Sequence, residues 1–304
     1  GPPALRYRVF DDSPVDKFDT LVFRSNYNYT WHGQEGGFGS TIGRAEYMRD
    51  EFSRRTQLAL GQPASHGTYV HLYLNGLYWG LYNLVERPDD SFAAAYLGGE
   101  KEEYDVVTGG SRSISGTQVK AGNKQAWNAM MAIVESNSLS AEERYRQVQA
   151  YLDVDNLIDY MLTIIYTGNR DAPTVIGGGG TPWNFYTARR RLPGAGLFTF
   201  AWDSEWTLEE PTRNVVDFHN GRDNPGRIFQ RLRSSAEFRL RVADRIQKHF
   251  FNGGALTPEA SMARYREIAQ FIDRAIVGES ARWGDAPGGR ARTRDDDWIK
   301  ERDR

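Results

Sequence analysis

The 304-residue sequence contains no cysteine and few lysines, and its positive and negative charges nearly cancel. Without cysteine there is no disulfide framework, thiolate zinc site or thiol nucleophile. The 38 Lys and Arg residues against 40 Asp and Glu residues give a net charge of −2, so no basic surface is offered to nucleic-acid phosphates. Only six of the basic residues are lysines, and Lys17 alone precedes Glu100. Chemistry that requires a lysine therefore has few positions available.

Long hydrophobic runs are also missing. No segment reaches the ~20 apolar residues of a transmembrane helix, and the N-terminal residues show no basic region followed by an apolar run, as a signal peptide would. Hydrophobic residues make up 39% of the sequence and aromatic residues 13%, which is enough for a folded core. We expect a globular protein with no membrane span and no nucleic-acid partner.

The order of hydrophobic and polar residues predicts an α+β protein. Alternation predicts strands over 18–24, 69–74, 77–85, 183–188 and 196–202. Helical spacing predicts helices over 44–60, 90–96, 127–135, 140–150, 154–166, 227–251 and 258–277. The helix at 154–166 is apolar nearly all round, so it should be buried. The Arg- and Asp-rich tail from Gly284 onward is expected to be solvated or loosely attached.

The clearest local signal is Asn75-Gly76, which lies between two runs rich in aromatic and aliphatic residues. This dipeptide is typical of a hairpin turn, because both turn positions need positive φ. The second strand of the hairpin runs into Glu86 and Arg87, and Asp89 can cap a short helix that follows. A hairpin, connector and helix in so few residues are typical of a hinge between two lobes.

Three oxygen-bearing side chains, Asp171, Asn184 and Asp203, lie at the ends of predicted elements, where a β-hairpin would bring them together. Hard cations such as Mg²⁺ take carboxylate and amide oxygens and bind phosphate alongside. In kinase-type phosphoryl transfer one Asp orients the acceptor hydroxyl, while an Asn and a second Asp hold metal ions. The same residue types are common in loops, so a loop residue, a strand-edge residue and a turn cap remain the alternative interpretation.

Other catalytic patterns are not found. The five histidines show no H-x-x-x-H or H-E-x-x-H spacing, so a zinc site is not indicated. No serine lies in G-x-S-x-G, and no G-x-x-x-x-G-K-[ST] phosphate loop is present. The 16 tyrosines and 8 tryptophans could line a sugar-binding groove, although core and hairpin packing is their more common use.

Five segments together form a more specific pattern. They are residues 47–50, 74–82, 86–89, 168–171 and 201–203. In this order and context they resemble the spore-coat CotH kinase-like family over about residues 18–206. The resemblance implies a protein-kinase-like fold of two lobes, a small antiparallel N-lobe over 1–87 and a larger, mostly helical C-lobe over 88–304.

The resemblance also implies roles for individual residues. Asp171 matches the family's catalytic-loop aspartate, and Asn184 and Asp203 match its metal-binding residues. Glu86 and Arg87 fall at the hinge, where backbone groups would meet the adenine of ATP. A salt bridge at the start of the next helix is the alternative interpretation of Glu86.

Asp50 or Glu51 lies where a kinase has the acidic residue that pairs with its phosphate-binding lysine. The family's strands that carry this lysine are not found, so the N-lobe is expected to be truncated at its N-terminus. Lys17 is in a polar turn, and Arg24, on the strand before the helix, is better placed to meet phosphate. The Gly177–Gly180 run lengthens the loop between the catalytic aspartate and asparagine. Glu205, two residues after Asp203, could support the metal-binding residues, although a surface position is the more common one for a glutamate.

The resemblance implies ATP- and Mg²⁺-dependent phosphoryl transfer to serine in a protein substrate. Family domains often lie within large exported bacterial proteins, so an exported or cell-surface location is expected. The alternative is a degenerate kinase-like module that serves as a binding or scaffold domain. The missing lysine and the long loop are the features that favour it.

Overall fold

A computed structural model of the chain describes residues 4–31, 44–110, 116–173, 183–216 and 223–304. The chain divides into two compact units. The first unit is made of Gly1–Phe52, His66–Arg87 and Ser261–Arg304, and the second of Ser53–Ser65 and Pro88–Ala260. The lobes predicted at 1–87 and 88–304 stay a prediction, since each unit takes segments from both of them.

The described secondary structure mixes helices with short strands. The strands are β1 (Leu5–Arg6), β2 (Lys17–Phe18), β3 (Leu21–Arg24), β4 (Gly67–Leu74), β5 (Leu77–Glu86), β6 (Tyr104–Thr108), β7 (Gln118–Ala121), β8 (Phe185–Arg190) and β9 (Phe198–Ala201). The helices are α1 (Arg49–Ala59), α2 (Asp90–Leu97), α3 (Gln125–Glu135), α4 (Ala141–Val148), α5 (Val154–Tyr166), α6 (Pro225–Leu232), α7 (Ala236–Phe250), α8 (Pro258–Ile272), α9 (Ala275–Trp283) and α10 (Ile299–Arg302). The predicted α+β class is confirmed.

The first unit holds two antiparallel sheets, one of β1 and β2 and one in the order β3-β5-β4. The β4–β5 hairpin turns at Asn75 and Gly76, as predicted, with φ of 50° and 79°. These are residue types that adopt left-handed backbone at little cost. Strand β3 pairs with β5 so that Arg24 lies opposite Asn83.

The core of the first unit combines residues from distant parts of the chain. Its buried aromatic and aliphatic side chains are Trp31, Tyr47, Met48, Phe52, Tyr69, Leu81, Ile268, Ile272, Ile276 and Trp298. The prediction of a solvated or loosely attached tail is wrong at its tryptophan: Trp298 is fully buried in this core, and the neighbouring Asp297 binds Arg290 and Arg292. The carboxylate next to Trp298 is paired with two arginines, so its charge does not prevent burial of the indole.

The second unit contains a four-stranded antiparallel sheet in the order β7-β6-β8-β9. Helix α5 begins at the cap Asp153, whose carboxylate accepts a hydrogen bond from the Asn156 N–H at 2.8 Å. Nine of its 13 residues are buried, as its apolar pattern predicts. Gly168, with φ of 61°, turns the chain away after the helix.

Several predicted boundaries are wrong for local reasons. The helix predicted over 227–251 is two helices, because Ser235 accepts a hydrogen bond from the Phe238 N–H and starts α7. The helix predicted over 258–277 ends at Ile272, and α1 begins at Arg49 rather than at residue 44. Strands β6 and β7 were not predicted. Within the described ranges, no helix is long and apolar enough to cross a membrane.

Candidate active site

Asp171 lies in a tight loop that follows α5. The loop closes with hydrogen bonds from the Gly168 and Asn169 N–H groups to the Ile165 and Ile164 carbonyls at 3.1 and 3.0 Å. The Asn169 side chain then accepts a hydrogen bond from the Asp171 N–H at 2.9 Å. This short-range turn is typical of Asn. The backbone of Asp171 is therefore fixed by hydrogen bonds within its own loop.

The same loop is bound to the segment that follows Asp203. The Arg170 N–H donates to the Trp206 carbonyl at 3.1 Å, and the Leu208 N–H donates to the Thr167 carbonyl at 2.8 Å. The Arg170 guanidinium lies over the Trp206 ring, 4.0 Å from its centroid. It also makes a two-pronged ion pair with Glu209, at 2.5 and 3.1 Å. Backbone and side-chain contacts therefore tie the two loops together.

Asn184 and Asp203 lie at the same end of the β8–β9 hairpin. Phe185 of β8 pairs directly with Ala201 of β9. Asn184 immediately precedes Phe185, and Asp203 comes two residues after Ala201. The strand pairing therefore brings both side chains to one sheet edge, as the sequence predicts.

Asn184 and Asp171 are in direct contact. The Asn184 Nδ2 donates to the Asp171 Oδ2 at 2.9 Å and to the Asp171 main-chain carbonyl at 3.1 Å. The other carboxylate oxygen of Asp171 accepts a hydrogen bond from the Trp183 Nε1 at 3.1 Å. The amide nitrogen of Asn184 is thus used to orient the carboxylate, and its Oδ1 is the oxygen that could serve a cation.

Two of these three residues have unusual backbone conformations. The φ of Asn184 is 68° and that of Asp203 is 55°, both in the left-handed region. Asn and Asp reach this region more easily than most residues, but at a cost of order 1 kcal/mol or more. Such outliers persist where the surrounding structure enforces them, and they cluster at functional sites.

The donor set fits a hard divalent cation that is shared with phosphate. Asp171 and Asp203 supply carboxylates and Asn184 supplies an amide oxygen, the ligand types that Mg²⁺ accepts while it keeps waters or phosphate oxygens. Over the part of the chain that the structure describes, no group of three or more His, Cys, Asp or Glu residues is placed to hold a metal ion. Two carboxylates and an amide would hold a cation that also binds its nucleotide, rather than a structural metal.

A second group of polar residues lies in the first unit. The Arg24 Nε on β3 is 3.2 Å from the Asp50 Oδ2 in the first turn of α1, and the Asp50 side chain is fully buried. The neighbouring Glu51 accepts a hydrogen bond from the Asn83 Nδ2 at 3.1 Å. The predicted Arg24 and Asp50 thus form one ion pair, whereas Lys17 on β2 is exposed.

Glu86 is the last residue of β5, and Arg87 follows it. The Glu86 carboxylate accepts a hydrogen bond from the His66 N–H at 2.9 Å, and the Glu86 N–H donates to the His66 carbonyl at 3.1 Å. Helix α2 is capped by Asp89 instead, which accepts from the Phe92 N–H. Arg87 is exposed. The Glu86 side chain therefore helps to fix the strand.

Sequence reasoning missed three parts of this site. Glu205 is buried, so the surface interpretation is wrong, and its role in supporting the metal-binding residues stays a prediction. The Arg170–Glu209 pair and the Trp183 contact to Asp171 were not predicted, because each joins residues that no local pattern connects. The sequence held one signal for the ion pair: Arg170 lies between Asn169 and Asp171, and an arginine at a buried site commonly has an acidic partner. The Gly177–Gly180 run lies outside the described residues.

Comparison with known proteins gives one strong match. The family model described as "CotH kinase protein" matches residues 40–302, nearly the whole chain. No curated protein matches. Among solved structures, a chain from the Shewanella oneidensis MR-1 toxin–antitoxin system HipA, HipB and its operator DNA complex is 13% identical, over 90% of this chain and 65% of that one. This chain thus spans less than two thirds of that protein, and the TM-score of 0.25 does not show a shared fold.

Proposed function

The chain belongs to the CotH kinase protein family, and from this premise we propose that it transfers a phosphoryl group from ATP to a serine hydroxyl of a protein. The observation that carries the proposal is the contact of Asn184 with Asp171 beside the hairpin end that bears Asp203. Kinase-type transfer needs one carboxylate for the acceptor and two oxygen ligands for metal, and these three residues supply them.

In this proposal Asp171 orients the acceptor hydroxyl and accepts its proton as transfer proceeds. Its carboxylate is held by Trp183 and Asn184, so its direction is set before substrate arrives. Asn184 and Asp203 would hold Mg²⁺, which would supply positive charge to the nucleotide phosphates. Both residues have left-handed backbone, and the pairing of Phe185 with Ala201 brings them to one end of the hairpin.

For the first unit, Arg24 as the cation that contacts the nucleotide phosphates in place of the family's lysine stays a prediction from the sequence. Asp50 holds its guanidinium through the buried ion pair. Arginine is always charged and can bind two phosphate oxygens at once. It would therefore supply the positive charge of the lysine, but with a planar guanidinium in place of an ammonium group. The Glu86 N–H is bound to the His66 carbonyl, so the Glu86 carbonyl and the Arg87 backbone are the groups predicted to meet the adenine. An exported location and a protein substrate stay predictions from the family resemblance.

The test is phosphate transfer from labelled ATP to the protein itself and to a generic acceptor such as myelin basic protein, with Mg²⁺ or Mn²⁺. Asp203→Ala should abolish labelling while the protein stays folded. Asp285→Ala, an exposed aspartate on the tail, is the matched control and should label like wild type. Equal labelling of Asp203→Ala and the control would overturn the proposal.

A binding or scaffold module without catalysis is the second candidate, and the arginine at position 24 is the observation that favours it. A thermal-shift measurement separates the two. A ligand at 100 times its Kd stabilises the folded state by about 2.7 kcal/mol. A raised Tm with ATP and Mg²⁺ supports the kinase. No shift at millimolar nucleotide, together with no labelling, supports the scaffold.

A further inference from the structure

Strand β9 is the last strand in its sheet, yet its outer edge is not left to solvent. Two side-chain carboxamides bind it there. The Gln57 Nε2 donates to the Thr199 carbonyl at 2.7 Å, and the Gln57 Oε1 accepts from the Ala201 N–H at 2.8 Å. The Asn156 Oδ1 accepts from the Thr199 N–H at 2.6 Å. The backbone groups that a further strand would pair are therefore bound by side chains.

The geometry of the Gln57 contact is that of a strand partner. Thr199 and Ala201 are two residues apart, so their N–H and C=O groups point to the same side of β9. A neighbouring strand would offer an N–H to the Thr199 carbonyl and a carbonyl to the Ala201 N–H. The single carboxamide of Gln57 supplies both groups. Gln57 is fully buried, so each lost bond would leave an unpaired polar group in the interior.

We propose that Gln57 is a positioning residue for Asp203. The inference rests on the proposed function, in which Asp203 holds the metal. Ala201 is the last residue of β9, and the left-handed turn at Asp203 begins two residues later. Gln57 fixes the backbone of Ala201 at the end of β9. Because Asp203 follows two residues later, this contact also limits where the Asp203 carboxylate can lie. Groups that hydrogen-bond directly to metal ligands typically change metal affinity by about 10–100-fold when they are removed. Gln57 acts on the backbone two residues before Asp203, so we expect a loss at the lower end of this range.

Gln62 offers a matched control. Its carboxamide is also part of the second unit: the Nε2 donates to Asp159 at 2.7 Å, and the Oε1 accepts from Asn156 at 3.2 Å. Among the described residues it makes no hydrogen bond of its own to β9 and reaches that strand only through Asn156. Replacing either glutamine with methionine removes the same number of polar groups at nearly equal volume, but only one of the two changes acts directly on the strand that leads to Asp203.

The experiment measures Mn²⁺ binding in the presence of a non-hydrolysable ATP analogue, by electron paramagnetic resonance of free Mn²⁺, for wild type, Gln57→Met, Gln62→Met and Asp203→Ala. We expect Asp203→Ala to lose the bound Mn²⁺, Gln57→Met to bind it about tenfold more weakly, and Gln62→Met to stay close to wild type. Amide exchange at Ala201 should be faster in Gln57→Met than in Gln62→Met. A role in stability alone would lower the Tm of both variants without separating their metal affinities.

Each remaining outcome decides the matter. If wild type binds Mn²⁺, Asp203→Ala does not and Gln57→Met binds as wild type does, the inference is overturned while the proposed function stands. If wild type binds no Mn²⁺, the proposed function falls and the inference falls with it. If Gln57→Met does not fold, Gln57→Glu keeps an acceptor for the Ala201 N–H and loses the donor to Thr199. Unchanged Mn²⁺ affinity in Gln57→Glu would then overturn the inference.

Discussion

The ion pair between Arg170 and Glu209 is the strongest single link between the loop of Asp171 and the segment after Asp203. Glu209→Gln keeps the shape of the side chain and one acceptor oxygen, but it removes the charge. Hydrogen bonds to charged groups contribute about 1.5–3 kcal/mol. The carboxylate is buried and the guanidinium nearly so, so the charge is poorly replaced by water. We expect the free energy of unfolding to fall by about 2 kcal/mol.

Under the proposed function, the same change should also slow phosphate transfer. Arg170 is adjacent to Asp171, and its side chain and N–H both bind the 206–209 segment. Loosening this link lets the carboxylate of Asp171 move, and a displacement near 1 Å can lower a rate by about 100-fold. We expect the kcat for phosphate transfer to fall by about ten- to 100-fold.

The assays are urea unfolding followed by circular dichroism, and labelled-ATP transfer at saturating ATP. Glu210→Gln is the control, since this neighbouring glutamate is exposed. Equal unfolding free energies for the two variants would refute the energetic reasoning. A destabilised Glu209→Gln that transfers phosphate at the wild-type rate would show that the pair stabilises the fold without positioning Asp171.

Two further predictions concern the first unit. Burial raises the pKa of Glu279 to about 7, so the folded state binds more protons than the unfolded chain between about pH 4.5 and 7. Stability should therefore fall as pH rises through this window, and Glu279→Gln should flatten the fall in urea midpoints; an unchanged slope would contradict this. Trp298→Ala should lower the free energy of unfolding by about 3–5 kcal/mol, because the indole is fully buried and donates a hydrogen bond to the Glu46 carbonyl. An unchanged Tm would mean that the tail does not stabilise the core.

Features encoded by neighbouring residues could be predicted from the sequence. Asn75-Gly76 needs only its own backbone preferences to form a turn, and the bounds of α5 follow from its cap and its apolar residues. The hairpin end that carries Asn184 and Asp203 was predictable too, because two consecutive predicted strands joined by a short turn pair as a hairpin.

Features encoded by distant residues could not be predicted in this way. The Gln57 side chain binds Thr199, 142 positions away, and the Arg170 side chain binds Glu209, 39 positions away. Helical spacing in α1 says which positions face inward, but it does not say which backbone they meet. The burial of Trp298 was hidden because the charged residues around it bind one another, and charge runs are normally solvated.

The discontinuous first unit has a consequence for the order of events during synthesis. All residues of the second unit have been made once translation passes Ala260, whereas the first unit awaits Trp298 for its core. At about 5–20 residues per second, the ribosome adds that difference in roughly 2–8 s. During this interval Trp31 and Tyr47 lack a partner that covers them in the finished molecule. A nascent chain stalled shortly before the tail would therefore expose aromatic surface and be a target for chaperones.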